Sequence, residues 1–159
     1  MPESLIIRPM KPAETGAVAR LFHNVWHETQ ARLQDPRQAR ARDLGFFRQR
    51  VESRATTTLV AVKENNLAGF VTWTGGMLNS LFVESQFRRL SIGEALCHRA
   101  EVEMARTGAK KFELDCIYGN TSGRRFYEHL GWRADRIEIL KNETSEGICE
   151  TRAWRMMKP

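Results

Sequence analysis

Two short stretches hold residue types whose spacing could do chemistry. Residues 83–93 read Val-Glu-Ser-Gln-Phe-Arg-Arg-Leu-Ser-Ile-Gly, an apolar run that passes into a helix through a basic turn. Unpaired N–H groups at a helix start, the helix dipole and nearby cations all stabilise an anion such as a pyrophosphate. Arg88 and Arg89 supply positive charge, and Gly93 lets backbone approach a ligand closely. Residues 120–132 read Asn-Thr-Ser-Gly-Arg-Arg-Phe-Tyr-Glu-His-Leu-Gly-Trp, a helix with a capping residue at its start and a glycine stop soon after a tyrosine. The neutral phenol of Tyr127 can donate a proton as negative charge develops on a leaving group. Together the stretches suggest a site that holds a phosphorylated carrier and protonates what departs.

Several other chemistries fail on pattern. Residues 88–93 lack the Gly-Lys-Ser/Thr of a P-loop and two glycines of the dinucleotide fingerprint. His23 and His27 share a helical face as zinc ligands do, but Asn24 breaks the H-E-x-x-H pattern and no third ligand is evident, so no metal is expected. Cys116 has no His or Asp pattern to activate it and reads as a buried strand thiol.

The positioning elements are legible from periodicity. Leu5 to Arg8 is a short strand that stops at Pro9. Val18, Leu21, Phe22, Val25 and Trp26 mark one face of an amphipathic helix. Pro36 interrupts, and Leu44, Phe46, Phe47 and Val51 mark a second helical region whose many arginines read as a solvated face. Residues 56–62, 67–73 and 77–83 form an expected antiparallel meander with turns at 64–66 and 75–76. A helix from Ile92 to about Thr107, with Gly108 as its left-handed cap, leads to a strand at 111–117, which makes a β-α-β crossover. The tyrosine helix follows, then strands at 133–140 and 148–156 around a loop from Asn142 to Gly147. The order βααβββαβαββ is that of a mixed α/β domain with a largely antiparallel central sheet flanked by helices.

On these residues the chain resembles the GNAT superfamily of acyl-CoA N-acyltransferases. Arg88-Arg89-Leu90-Ser91-Ile92-Gly93 is similar to the family's R/Q-x-x-G-x-G/A turn, whose amides grip the coenzyme A pyrophosphate. Ser91 stands where the family usually has glycine. At a positive φ a serine there costs about 1 kcal/mol or more; at a negative φ its hydroxyl could reach a phosphate oxygen. Asn120 to Trp132 is similar to N-x-x-A/G-x-x-F-Y-x-x-x-G-F/W.

The resemblance implies an N-acetyltransferase that moves acetyl from acetyl-CoA to a primary amine by direct attack. It gives Tyr127 the role of general acid toward the thiolate and places Asn120 beside pantetheine. Gly123, or Arg124 and Arg125, would lie near the phosphates. Leu81, Phe82 and Val83 take the family's splayed strand, whose free backbone groups bind pantetheine like an added strand. Where relatives often carry a carboxylate base, positions 77–80 read Met-Leu-Asn-Ser. Glu28, Glu84, Asp115 or a chain of waters remain as proton acceptors. Residues 13–54 should shape the acceptor pocket, and their basic, aromatic composition suits an acidic or amphipathic acceptor. A catalytically silent module that binds coenzyme A is the alternative, distinguished by binding without turnover.

Composition sets the outer bounds. The chain has 159 residues, the size of one domain, with 42% apolar and 28% charged residues. No run reaches membrane-spanning length, and Met1-Pro2-Glu3-Ser4 does not open a secretion signal, so a cytoplasmic protein is expected. Cys97, Cys116 and Cys149 lack paired spacing and read as reduced thiols. The formal charge of +6 is spread along the chain, which reads as solubility; no nucleic-acid motif accompanies it. A small-molecule or peptide amine is the expected partner, no membrane is, and a homodimer is left open.

Overall fold

The computed structural model describes residues 4–88 and 91–159, so the expectations for Arg89 and Leu90 lie outside the described residues. The meander forms as β2 (Thr58–Lys63), β3 (Asn66–Thr74) and β4 (Met77–Val83), all antiparallel. Its first turn has Glu64 and Asn65 at φ 51° and 64°. That two-residue left-handed turn matches the natural twist of a hairpin. β1 (Leu5–Pro9) joins β2 antiparallel, with Leu5 opposite Lys63.

The helices divide between the two faces of the sheet because side chains alternate along each strand. On β2, Leu59 and Ala61 point to one core and Val60 to the other. The second core is filled by α1 (Thr15–Thr29) and α3 (Leu44–Ser53), where Phe22 lies 4.6 Å from Phe47 and 4.9 Å from Phe82, centroid to centroid. The first core takes α4 (Ile92–Arg106), whose Ile92, Leu96, Ala100 and Met104 form the expected i+4 row and are buried. Tyr127 and Leu130 of the stretch around α5 (Thr121–His129) pack against the same core.

Beyond the meander lie β5 (Phe112–Ile117), β6 (Arg133–Thr144) and β7 (Gly147–Lys158), in a seven-stranded sheet of order β1-β2-β3-β4-β5-β7-β6. β4 and β5 are parallel, as a helical crossover requires, and every other pairing is antiparallel.

Two elements differ from the sequence reading. A short α2 (Pro36–Ala41) precedes α3, started by Asp35, whose carboxylate accepts from the Arg37 N–H at 2.9 Å. The expected loop at 142–147 is instead the tip of a hairpin, with Thr144 opposite Gly147. Its polar residues hid a strand because the β6–β7 ladder, not burial, holds it extended. Arg40 of α2 grips Glu146 at that tip at 2.8 Å, so the hairpin carries the helix.

Candidate active site

The ladder between β4 and β5 is short. Met77 pairs with Glu113 and Leu78 with Leu114, and no further register positions follow. Past Leu78 the two strands part, and a cavity of about 740 Å³ occupies the opening. Leu81, Phe82 and Val83 line it from β4, Ser91, Ile92 and Gly93 from the start of α4, and Asn120, Gly123 and Tyr127 from α5. Ten of the residues singled out from sequence, these nine and Arg88, therefore meet in one place.

The start of α4 is set by its backbone. Ser91 is the N-cap at φ 61°, in the left-handed region, and its side chain makes no capping bond. The first of the two alternatives for Ser91 is thus the one realised: it occupies a conformation that favours glycine, at a cost. The helical bond from the Ala95 N–H to the Ser91 carbonyl closes the first turn. The amides of Ile92, Gly93 and Glu94 precede that bond and are the orphan donors of a helix start. Gly93 serves packing as well, since a Cβ there would stand 3.3 Å from the Phe126 ring.

Arg88 lines the cavity, but its guanidinium is already engaged. Nε donates to the Val83 carbonyl at 3.2 Å and Nη1 to Glu28 at 3.0 Å, while Nη2 is buried without a partner. Arg124 lies over the Trp154 ring at 4.7 Å, and the cavity lining includes neither it nor Arg125.

α5 is built to fix Tyr127. The Asn120 side chain accepts from the Gly123 N–H at 3.1 Å and caps the helix. Gly131, at φ 95°, ends it in a Schellman motif: the Trp132 N–H reaches the Tyr127 carbonyl and the Gly131 N–H the Glu128 carbonyl, both at 3.0 Å. The Tyr127 ring sits between Phe126 at 5.1 Å and Trp132 at 6.1 Å, both edge-on. No described residue hydrogen-bonds its hydroxyl. Burial, with Cys97 and Cys116 nearby, holds the phenol well above its ordinary range, so it is protonated.

Cys116 also lines the cavity, and burial pushes its thiol up to about 12. A thiol held neutral is a poor nucleophile, in line with the sequence reading. Among the candidate proton acceptors, Asp115 lines the cavity but is clamped by Arg155 at 2.6 and 3.1 Å. Glu28 is bound to Arg88, and Glu84 lies off the lining. The two histidines have other partners: His23 meets Asn24 at 2.9 Å and His27 the Arg42 carbonyl at 2.6 Å. Among the described residues no cluster of three metal-binding side chains exists, and no helix is long and apolar enough to cross a membrane.

The sequence reading missed one wall. Arg42, Arg50 and Arg54, read there as solvated, are half-buried and line the cavity beside Gln34, Gln38 and Thr151. Residues 42, 46, 50 and 54 repeat every four positions, a row holding three arginines around Phe46. That spacing was the available signal.

Comparison with known proteins gives a consistent result. Residues 19–132 match the sequence model of the Acetyltransferase (GNAT) family. A GCN5-related N-acetyltransferase from Rhodopseudomonas palustris superposes with a TM-score of 0.74 at 19% identity, over 99% of this chain and 98% of that one. PaiA N-acetyltransferase from Thermoplasma acidophilum, solved with coenzyme A, gives 0.72 at 18% identity over 98% of both chains. A ribosomal-protein-alanine N-acetyltransferase from Brucella melitensis gives 0.74 at 17% identity over 96% of this chain and 98% of that one. These identities speak to the fold alone. No curated protein matches the sequence.

Proposed function

Because the chain belongs to the Acetyltransferase (GNAT) family and is an N-acetyltransferase using acetyl-CoA, we propose that it acetylates a primary amine by direct attack, with Tyr127 as general acid. The observation that carries this reading is the meeting of three features on one cavity: an unpaired strand edge, a helix start and an unpartnered phenol.

In this reading the free edge of β4 at Leu81, Phe82 and Val83 holds the pantetheine arm by backbone hydrogen bonds, as an added strand would. The amides of Ser91, Ile92 and Gly93 hold the pyrophosphate. Asn120 and Gly123 keep α5 in register, and Tyr127 donates its proton as negative charge gathers on the departing sulfur. The amine nitrogen forms a bond to the thioester carbonyl carbon, the carbon–sulfur bond breaks, and the amine proton leaves through water. Water takes that part because, of the three carboxylates weighed as acceptors, Asp115 and Glu28 are tied to arginines and Glu84 lies off the lining. The described strands and helices act as a single catalytic unit, and the three free, buried thiols suit a cytoplasmic setting.

The test is thermal melting with and without acetyl-CoA, followed by thioester consumption with an amine panel. A ligand that binds only the native form must raise the melting temperature. A rise together with amine-dependent release of coenzyme A supports the assignment. A rise without turnover for any amine would leave a silent binding module, and no rise would remove the acetyl-CoA site.

A further inference from the structure

Resting on that reading, we propose that the acceptor is an amine carrying an oxyanion, a carboxylate or a phosphate, held by Arg42, Arg50 and Arg54. The three arginines line the cavity from the face of the sheet that carries α1 and α3. Tyr127 and the start of α4 belong to the other face, so an amine reaching through the splay would leave its far end among the arginines.

Their surroundings leave the charge unanswered. Among the described residues none of the three makes an ion pair or a side-chain hydrogen bond. Arg42 lies 4.8 Å over Trp26 and 4.9 Å over Phe46, and Arg50 lies 4.7 Å over Phe46. These rings orient the guanidinium planes but neutralise nothing. Asp43 and Glu143 line a smaller neighbouring cavity with Arg42 and Arg50, outside ion-pairing distance. Burial lowers all three guanidinium groups, Arg42 to about 10 with Arg50 adding repulsion. Half-buried like charges held together are costly until an anion joins them.

A second feature points the same way. Gln38 is only 2% exposed, yet its Oε1 has no partner, and neither has the buried Nε2 of Gln34. Both side chains line the cavity. The Gln38 Nε2 donates to Thr151 Oγ1 at 3.4 Å and to the Gln34 side chain, so this wall keeps one acceptor and one donor unsatisfied, and a side-chain rotation would turn them toward a polar ligand. A dry apolar acceptor would leave these groups unsatisfied, and a polyamine would meet three like charges. The positive field also favours the neutral, attacking form of an incoming amine, which suits release of its proton to water.

The experiment compares kcat/KM for ω-amino acids from glycine to 6-aminohexanoate with their neutral amides, with aminoalkyl phosphates and with spermidine. The expected result is at least a 10-fold preference for the oxyanion-bearing amines at one chain length. The preference should shrink as salt rises. Whether carboxylate or phosphate leads identifies the source of the oxyanion. Arg50→Gln with Arg54→Gln should collapse the ratio toward one, while coenzyme A affinity and melting temperature report on the thioester site and fold. Titration of the N-acetyl products, acid against amide, into protein loaded with coenzyme A reads the same preference without turnover. Equal or better use of amides or spermidine would overturn the proposal. So would a double variant that loses coenzyme A far more than dephosphorylated pantetheine, since the arginines would then serve the carrier. Absence of turnover with an intact product preference would count against the catalytic reading and not against this one.

Discussion

Two residues carry most of what can be tested atom by atom. Tyr127 has rings on either side, a helix stop on its carbonyl and nothing on its hydroxyl. Tyr127→Phe keeps the rings and removes only the proton, so kcat should fall by about 10²–10⁴-fold with coenzyme A affinity nearly intact. Steady-state kinetics beside a binding titration check it, and unchanged kcat would retire the acid. The sign of the pH dependence follows from the raised phenol, whose ordinary value is 10.0. An acid held above that value stays loaded through the neutral and mildly alkaline range. The rate should therefore rise with pH as the amine deprotonates, with no alkaline fall below pH 10; a fall near pH 8 would mean another group donates. Ser91 is the opposite case, a residue at odds with its backbone. Glycine would remove a left-handed penalty of about 1–2 kcal/mol but add unfolded-chain freedom of about 0.5–1 kcal/mol. Ser91→Gly should thus stabilise the protein by about 0–1.5 kcal/mol in urea unfolding and preserve or improve coenzyme A affinity. A loss of affinity would assign the hydroxyl a contact.

Among the elements, α5 shows how one small residue serves another. A Cβ on Gly123 would stand 2.5 Å from Asn120 Nδ2, so alanine there must evict the capping side chain. The lost cap costs about 1 kcal/mol, and alanine's better helix propensity returns about 0.5–1 kcal/mol. Gly123→Ala should be near neutral alone but stabilising once Asn120→Ala has already removed the cap. Denaturant melts of the four proteins in that cycle give the coupling, and additive effects would show that the glycine has another purpose. The same helix was readable in sequence from end to end, since a cap, an apolar face and a glycine stop are all local signals. So were the meander, whose β2 and β3 are apolar runs buried on both faces between polar turns, and α4, whose helical period comes from burial on one face. The tip of the β6–β7 hairpin was not legible, because its strands are held by a ladder to each other and carry little apolar patterning. Nor were α2 and the arginine wall. Whether Arg42 faces water or a cavity depends on His27 binding its carbonyl and on α2 resting on the hairpin, contacts between residues far apart in the chain.

At the scale of the whole molecule, the sheet is two parts joined by a short seam. The part from β1 to β4 has helices on both faces, whereas β5, β7 and β6 meet it through two paired positions, through the core around Leu114, Trp132 and Met156, and through α2 resting on the β6–β7 hairpin. The cavity lies over the gap that the seam leaves, and its lining comes from both parts. A molecule bound there adds contacts to each side at once and substitutes for the missing ladder. Native-state hydrogen exchange can read this. At acetyl-CoA 100 times above its dissociation constant, a ligand specific to the native form adds about 2.7 kcal/mol, roughly 100-fold in protection. The slowest amides of β3 and β4 and those of β5 and β7 should gain that factor together, because opening either part releases the ligand. Protection confined to the β1–β4 part would mean that the carrier sits on α4 alone and does not cross the seam. In that event α5 could not deliver the phenol to the sulfur, and the catalytic arrangement would fail at its largest scale.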